Sequence, residues 1–229
     1  GNSIHTFNVW GVKIDSEASG KYLGIKTEND VDTIPTPMTV TYDIVGLRNA
    51  NPVSVSMKIY DSANAEIRTK SLPLTVGEGQ TTTWDGKNTG GQVVVPGEYS
   101  IVIEAEEDSG KAKSTSHTVT VFKVEITTPT TTARNITAAP AMPTVPFQAE
   151  VKPASINIAD ITFKWYLDMT FTQHGRNDRH RVPDAGTTDI TGNGDWTPEW
   201  GDLFAGGEVK VYVTAVVDSV EAKGDKKEY

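Results

Sequence analysis

The sequence predicts an all-β protein built as two tandem immunoglobulin-like or fibronectin III-like β-sandwiches. Three observations predict it. Thr, Val and Ile are abundant in runs that alternate apolar and polar residues, the pattern of half-buried strands. Turn residues recur at short spacing between those runs, and no stretch carries a helical period. The chain has 229 residues, which fits two domains of roughly 100–150 residues each. They are placed at residues 1–122 and 123–229.

In the first domain, Phe7–Ile14 reads as a strand that changes parity beside Gly11, the mark of a bulge that lets one strand serve both sheets. Residues 15–36 read mostly as loop with a short strand at Tyr22–Lys26, closed by Pro35 and Pro37. Val40, Tyr42 and Ile44 alternate with Thr39, Thr41 and Asp43, giving a half-buried strand. After a turn at Gly46–Pro52, Val53, Val55, Met57 and Ile59 make an inward row. Asp61–Ala65 turns the chain and Glu66–Leu74 returns it. The stretch 81–106, TTTWDGKNTGGQVVVPGEYSIVIEAE, organises the domain. A strand ends at Trp84, and Asp85-Gly86 supplies the positive φ of a tight turn. Pro96 stops Val93–Val95 from running on as a central strand. From Tyr99, the residues Tyr99, Ile101, Ile103 and Ala105 share one face, with Ser100, Val102 and Glu104 on the other. Tyr99 opens a strand just after a Pro-Gly corner, where immunoglobulin-like sandwiches place a corner tyrosine. A last strand carries Val119 and Val121 inward.

The pattern W-D-G-K, then G, then V-P-G-E-Y resembles the immunoglobulin-like domain of flagellar hook-capping proteins. The resemblance covers roughly residues 37–122 and is carried mainly by 81–106. It implies the sandwich fold and a non-catalytic, scaffold-like character. Relatives of that domain recur in bacterial secreted and surface proteins, and the setting expected for this chain is extracytoplasmic: secreted, periplasmic or cell-surface.

In the second domain, Thr127–Pro146 reads as part linker and part irregular first strand. Phe147, Ala149 and Val151 alternate inward, as do Phe163, Trp165 and Leu167. Trp165 takes the place of the central aromatic of an immunoglobulin-like core, without the usual disulfide. Val209, Val211, Val213, Ala215 and Val217 form a long inward row after Gly206-Gly207, and Glu221–Tyr229 finishes the sheet. Between them, residues 169–205 form an insertion too long for an ordinary sandwich loop.

Composition narrows the function. Net charge is −9, divided as 10 basic and 15 acidic residues through Phe122 and 11 and 15 after it, so neither half offers the basic surface that nucleic acid needs. The absence of cysteine excludes disulfides, thiolate zinc sites and Cys nucleophiles. No apolar run approaches the ~20 residues that span a bilayer, so no membrane insertion is expected. The opening Gly1-Asn2-Ser3 and the closing residues 224–229 read as trimmed ends of a longer protein with any leader removed.

For chemistry, there is no nucleophile elbow, no H-E-x-x-H and no phosphate-binding glycine loop; no enzyme activity and no cofactor are expected. His174, Asp178 and His180 have no zinc-motif spacing and read as a solvated loop, so no metal site is expected there. Glu28, Asn29, Asp30 and Asp32, and separately Asn193 and Asp195, offer oxygens to calcium but lack the glycine-centred loop, and read as acidic turns. The candidate binding residues are Phe171, Arg176, Arg179, Arg181, Trp196 and Trp200, all in the insertion. Arg forks suit carboxylates and phosphates, and exposed indoles stack on sugars or pack on a partner. The plainer alternatives are loop charges paired with Asp184 and Asp189, and tryptophans that cap their own core. The reading is therefore a structural or interaction module of a larger bacterial secreted, cell-surface or phage-like protein, which spaces or presents other domains. Its partner would be a protein or a neighbouring domain of the same chain. The alternative is a carbohydrate-binding module that recognises a cell-wall glycan through residues 169–205.

Overall fold

The structure, a computed structural model, describes residues 10–45, 52–107, 110–128, 145–170, 193–196 and 208–228. Among the described residues nearly everything regular is strand. In chain order these are β1 (Gly11–Asp15), β2 (Tyr22–Gly24), β3 (Lys26–Glu28), β4 (Val31–Thr33), β5 (Met38–Val45) and β6 (Ser54–Tyr60). Then come β7 (Glu66–Ser71), β8 (Gly77–Trp84), β9 (Gly97–Glu107), β10 (Gly110–Lys113) and β11 (His117–Thr128). The rest are β12 (Val145–Lys152), β13 (Ile161–Thr170), β14 (Asn193–Trp196), β15 (Glu208–Val217), β16 (Val220–Lys223) and β17 (Lys227–Glu228). The described residues also include a 3-10 turn, Ile158–Asp160, capped by the Asn157 side chain. The chain is all-β and of the immunoglobulin-like, fibronectin III-like sandwich type.

Two compact units emerge: Gly1–Leu23 with Thr36–Val121, and Gly24–Pro35 with Phe122–Tyr229. In the first, β1-β5-β8 form one antiparallel sheet, and β9-β6-β7 with β10 and the start of β11 form the other. The alternation read from the sequence decides what faces in. Met38, Val40, Tyr42 and Ile44 of β5 are buried, as are Val55, Met57 and Ile59 of β6 and Tyr99, Ile101, Ile103 and Ala105 of β9. Two residues depart from the pattern. Val53 is 58% exposed, because β6 begins only at Ser54 and Val53 serves through its backbone N–H, which donates to Glu106 O at 2.7 Å. Val102, expected to face outward with Ser100 and Glu104, is buried, at 3% exposure.

The corner between β8 and β9 is closed by three aromatic contacts with the backbone and each other. Trp84 is buried and its Nε1 donates to Lys87 O at 3.1 Å. Tyr99 Oη donates to Val95 O at 2.7 Å, the corner-tyrosine bond. The two rings meet edge-on, centroids 5.4 Å apart. Gly86 at φ 68 makes the turn, and Asp85 accepts from Lys87 N and from Arg68.

In the second unit, β13-β15-β16-β3-β4 form one sheet with β17 on β15, and β14-β12 with the second half of β11 form another. Phe163, Trp165, Val211, Val213, Ala215 and Val217 are buried as the sequence predicts. Trp165 stacks on Phe147 of the facing sheet at 5.3 Å. Strand β11 pairs with β9 over His117–Val121 and with β12 over Lys123–Thr128. One hydrogen-bonded strand thus links Val119–Val121 and Phe147–Val151, where the sequence reading keeps them in separate sheets. Residues 24–35, read from the sequence as the end of a short strand at Tyr22–Lys26 followed by loop within the first domain, form β3 and β4 of the second unit. The expected linker at 127–146 is strand as far as Thr128 and again from Val145.

Candidate functional site

The predicted insertion at 169–205 is narrower than it reads. Met169 and Thr170 belong to β13, whose last residue pairs with Glu208, the first of β15. Residues 193–196 are strand β14, laid against β12 so that Trp196 pairs with Val145. Asn193 and Asp195, considered as calcium ligands, therefore sit in a strand opposite Gln148 and Pro146. Strand ends gather the borders of the segment. Lys152 and Ile161 are joined by the short connection 153–160, so the opposite ends of β12 and β13, Val145 and Thr170, lie at one end of the unit. Trp196 and the Thr170–Glu208 pair are placed there, whereas Lys123 enters beside Lys152 at the other end. Phe171, Arg176, Arg179, Arg181 and Trp200 lie outside the described residues, as do His174, Asp178 and His180.

In the acidic run 28–32, the Glu28 and Asp32 carboxylates are paired with protein groups. Asp32 accepts from Thr27 Oγ1 at 2.7 Å and meets Lys123 Nζ at 3.0 Å. Glu28 lies 3.1 Å from Lys26 and 3.2 Å from Lys223, and hydrogen bonds from those two ammonium groups hold its carboxyl below the usual range. Among the described residues no group of three or more metal-ligating side chains is brought together.

Outer faces of the two units differ in chemistry. On the first, cross-strand charges interlock: Lys58 and Glu104 at 2.8 Å, Lys113 and Glu104 at 3.7 Å, and Lys111 and Glu106 at 3.2 Å. The Lys58 hydrogen bond lowers the Glu104 pKa, and the same bond raises that of Lys58. On the second, Tyr166 and Tyr212 stack at 4.7 Å with an interplanar angle of 7°, and Lys223 Nζ lies 4.8 Å over the Tyr212 ring. The edges of the first unit are also blunted. Thr89 donates from N and Oγ1 to Ile67 O on β7, and Lys70 Nζ donates to Thr83 O on β8.

With the Trp84 corner, the blunted edges and the two-sheet topology in place, the first unit can be set beside known proteins. Residues 40–109 match the family model of the FlgD Ig-like domain. The match runs from β5 to the end of β9 and contains the whole Trp84–Tyr99 corner, so it bears out the resemblance to the hook-capping Ig-like domain. It covers less than a third of the chain. The FlgD Ig-like stretch thus leaves β1 to β4 and all of the chain from β10 onward unmatched. Among solved structures, the chicken CNTN1 FN1-FN3 domains match at 8% identity, over 92% of this chain and 67% of that one, with a TM-score of 0.28. At that score the fold rests on the strand pairing described above. No curated protein matches the chain. Among the described residues, no helix is long and apolar enough to cross a membrane.

Sequence reasoning missed the hairpin at 24–35. Its signal was the Asn29-Asp30 pair, two residues that tolerate a left-handed turn; the flanking Lys-Thr-Glu and Val-Asp-Thr mix Thr and Val with charged residues that strands disfavour, which hid it.

Proposed function

We propose that this chain is a non-catalytic structural and interaction module of a larger extracytoplasmic bacterial protein, spacing or presenting its other domains. The observation that carries this reading is the FlgD Ig-like match over a sandwich whose corner and edges are closed by its own side chains. A module so closed gives a rigid mount, and on such mounts recognition falls to loops. The segment between Thr170 and Glu208 holds Phe171, Arg176, Arg179, Arg181, Trp196 and Trp200, the residue types enriched at interface hot spots. These residues form the contact with a protein partner or a neighbouring domain. Replacing Phe171–Arg181 by a Gly-containing turn in the full-length protein tests it. Association measured by sedimentation velocity is expected to be lost while far-UV circular dichroism and thermal stability are kept. Unchanged association overturns the contact. Tryptophan fluorescence titrated with cell-wall glycans is expected to stay flat, and a saturable quench would replace this reading with carbohydrate binding.

A further inference from the structure

Residues 24–35 lie in the chain between two segments of the first unit, yet they belong to the second. They fold as a hairpin in which Lys26 pairs with Thr33 and Glu28 with Val31. Asn29 and Asp30 make the turn, both left-handed, with φ of 52 and 60. That is the two-residue turn whose twist suits a hairpin, and Asn and Asp tolerate it. Strands of three residues cannot hold a hairpin together alone in water, so its order comes from what it is bonded to.

Its long-range bonds run to residues that follow Val121. Ile25 N donates to Phe122 O at 2.8 Å, and Lys223 N donates to Ile25 O at 3.0 Å. Strand β3 lies parallel to β16 with Lys26 level with Lys223. The Asp225 carboxylate accepts both turn amides, from Asn29 N at 3.1 Å and Asp30 N at 2.8 Å. Lys123 and Lys223 hold Asp32 and Glu28. Ile25 and Thr27 are buried. Gly24 lets the backbones approach: a Cβ there would stand 2.1 Å from the carbonyl oxygen of Glu221 and 2.6 Å from its carbon. Neither of those atoms can swing aside as a side-chain tip would.

The geometry points to residues 24–35 as a clasp: the second unit closes around this hairpin and stays folded only while the hairpin is seated on β16 and the Phe122–Lys123 backbone. Without it, β16 becomes an open edge with unpaired backbone groups, and the core loses the buried Ile25 side chain. The clasp does not depend on what the module binds.

Backbone amide hydrogen exchange of the full chain, read by mass spectrometry, tests it in a Gly24→Val variant. Exchange should rise about tenfold or more in peptides covering β3, β4, β16 and Lys123–Thr128 and also β12, β13 and β15, while β5, β6 and β9 keep wild-type rates. Unchanged protection in the first group overturns the clasp, and so does an equal loss in β5, β6 and β9. Asp225→Ala, a milder change, removes the carboxylate that accepts both turn amides and, locally, the amide of Lys226. It should raise exchange about threefold in the same peptides, and wild-type rates there would overturn the proposal. A synthetic peptide of residues 20–36 added to the Gly24→Val variant should restore protection of β16, and no restoration would overturn the clasp.

Discussion

Two turns in this molecule use an aspartate in the same way over very different distances. At the Trp84 corner, Asp85 accepts from the amide of Lys87, two residues on. At the Asn29-Asp30 turn, Asp225 accepts both turn amides from 195 and 196 residues away. In both, a carboxylate takes up amides that a tight turn leaves without a strand partner. The first turn belongs to a corner that also holds its own tryptophan and tyrosine. The second is held by groups that only the folded chain brings to it. A turn whose partners are local builds a self-contained corner, while a turn whose partners are remote ties distant parts of the chain into one unit.

The largest expected effect concerns the aromatic centres. Trp84→Ala and Trp165→Ala should each lose about 3–5 kcal/mol in urea unfolding, because both rings are buried against another aromatic. A loss below about 1 kcal/mol at Trp84 would mean that the corner is not what holds the first sandwich.

Next is the corner bond. Tyr99→Phe keeps the ring against Trp84 and removes only the hydroxyl that donates to Val95 O. The expected loss is about 1 kcal/mol by the same measurement. A neutral result would show that the edge-on ring packing alone sets the corner.

The smallest effect comes from the outer face of the first unit. Glu104 has its pKa lowered by the hydrogen bond from Lys58, so its contribution is complete above the ordinary glutamate range and is lost as pH falls through the lowered value. Lys58, raised by the same bond, loses its contribution as pH climbs past the ordinary lysine range. Glu104→Gln should therefore flatten the acid limb of the stability–pH profile, by about 0.5 kcal/mol for a pair at the surface and partly screened by water. An unchanged acid limb would place the pH dependence elsewhere.

What the sequence made legible follows the same division. The alternation of Val40, Tyr42 and Ile44, the turn at Asp85-Gly86 and the corner at Tyr99 were readable because each depends on neighbours within a few residues. The burial of Trp165 was readable because a strand of period two leaves it only one face. Val102 misled because alternation tells which residues share its face, Ser100 and Glu104, and not whether the rest of the folded chain covers that face. The membership of residues 24–35 was not readable, since nothing near them in sequence names Asp225, Lys223 or Phe122 as partners. Of the candidate site, the sequence supplied the residue types. The structure places Trp196 in β14 opposite Val145 and pairs Thr170 with Glu208 where the segment begins and ends.

The most direct test of local against remote anchoring is amide exchange resolved by NMR in two variants of the full chain, Asp85→Ala and Asp225→Ala. Asp85→Ala should speed exchange at Lys87 and leave Asn29, Asp30 and Val220–Lys223 at wild-type rates. Asp225→Ala should speed Asn29 and Asp30, and the effect should spread to Lys223, whose amide is bonded to the clasp, while Lys87 is unmoved. If Asp225→Ala changes only the two turn amides, with Lys223 as protected as in the wild type, the hairpin is an ornament on the second unit and not its clasp.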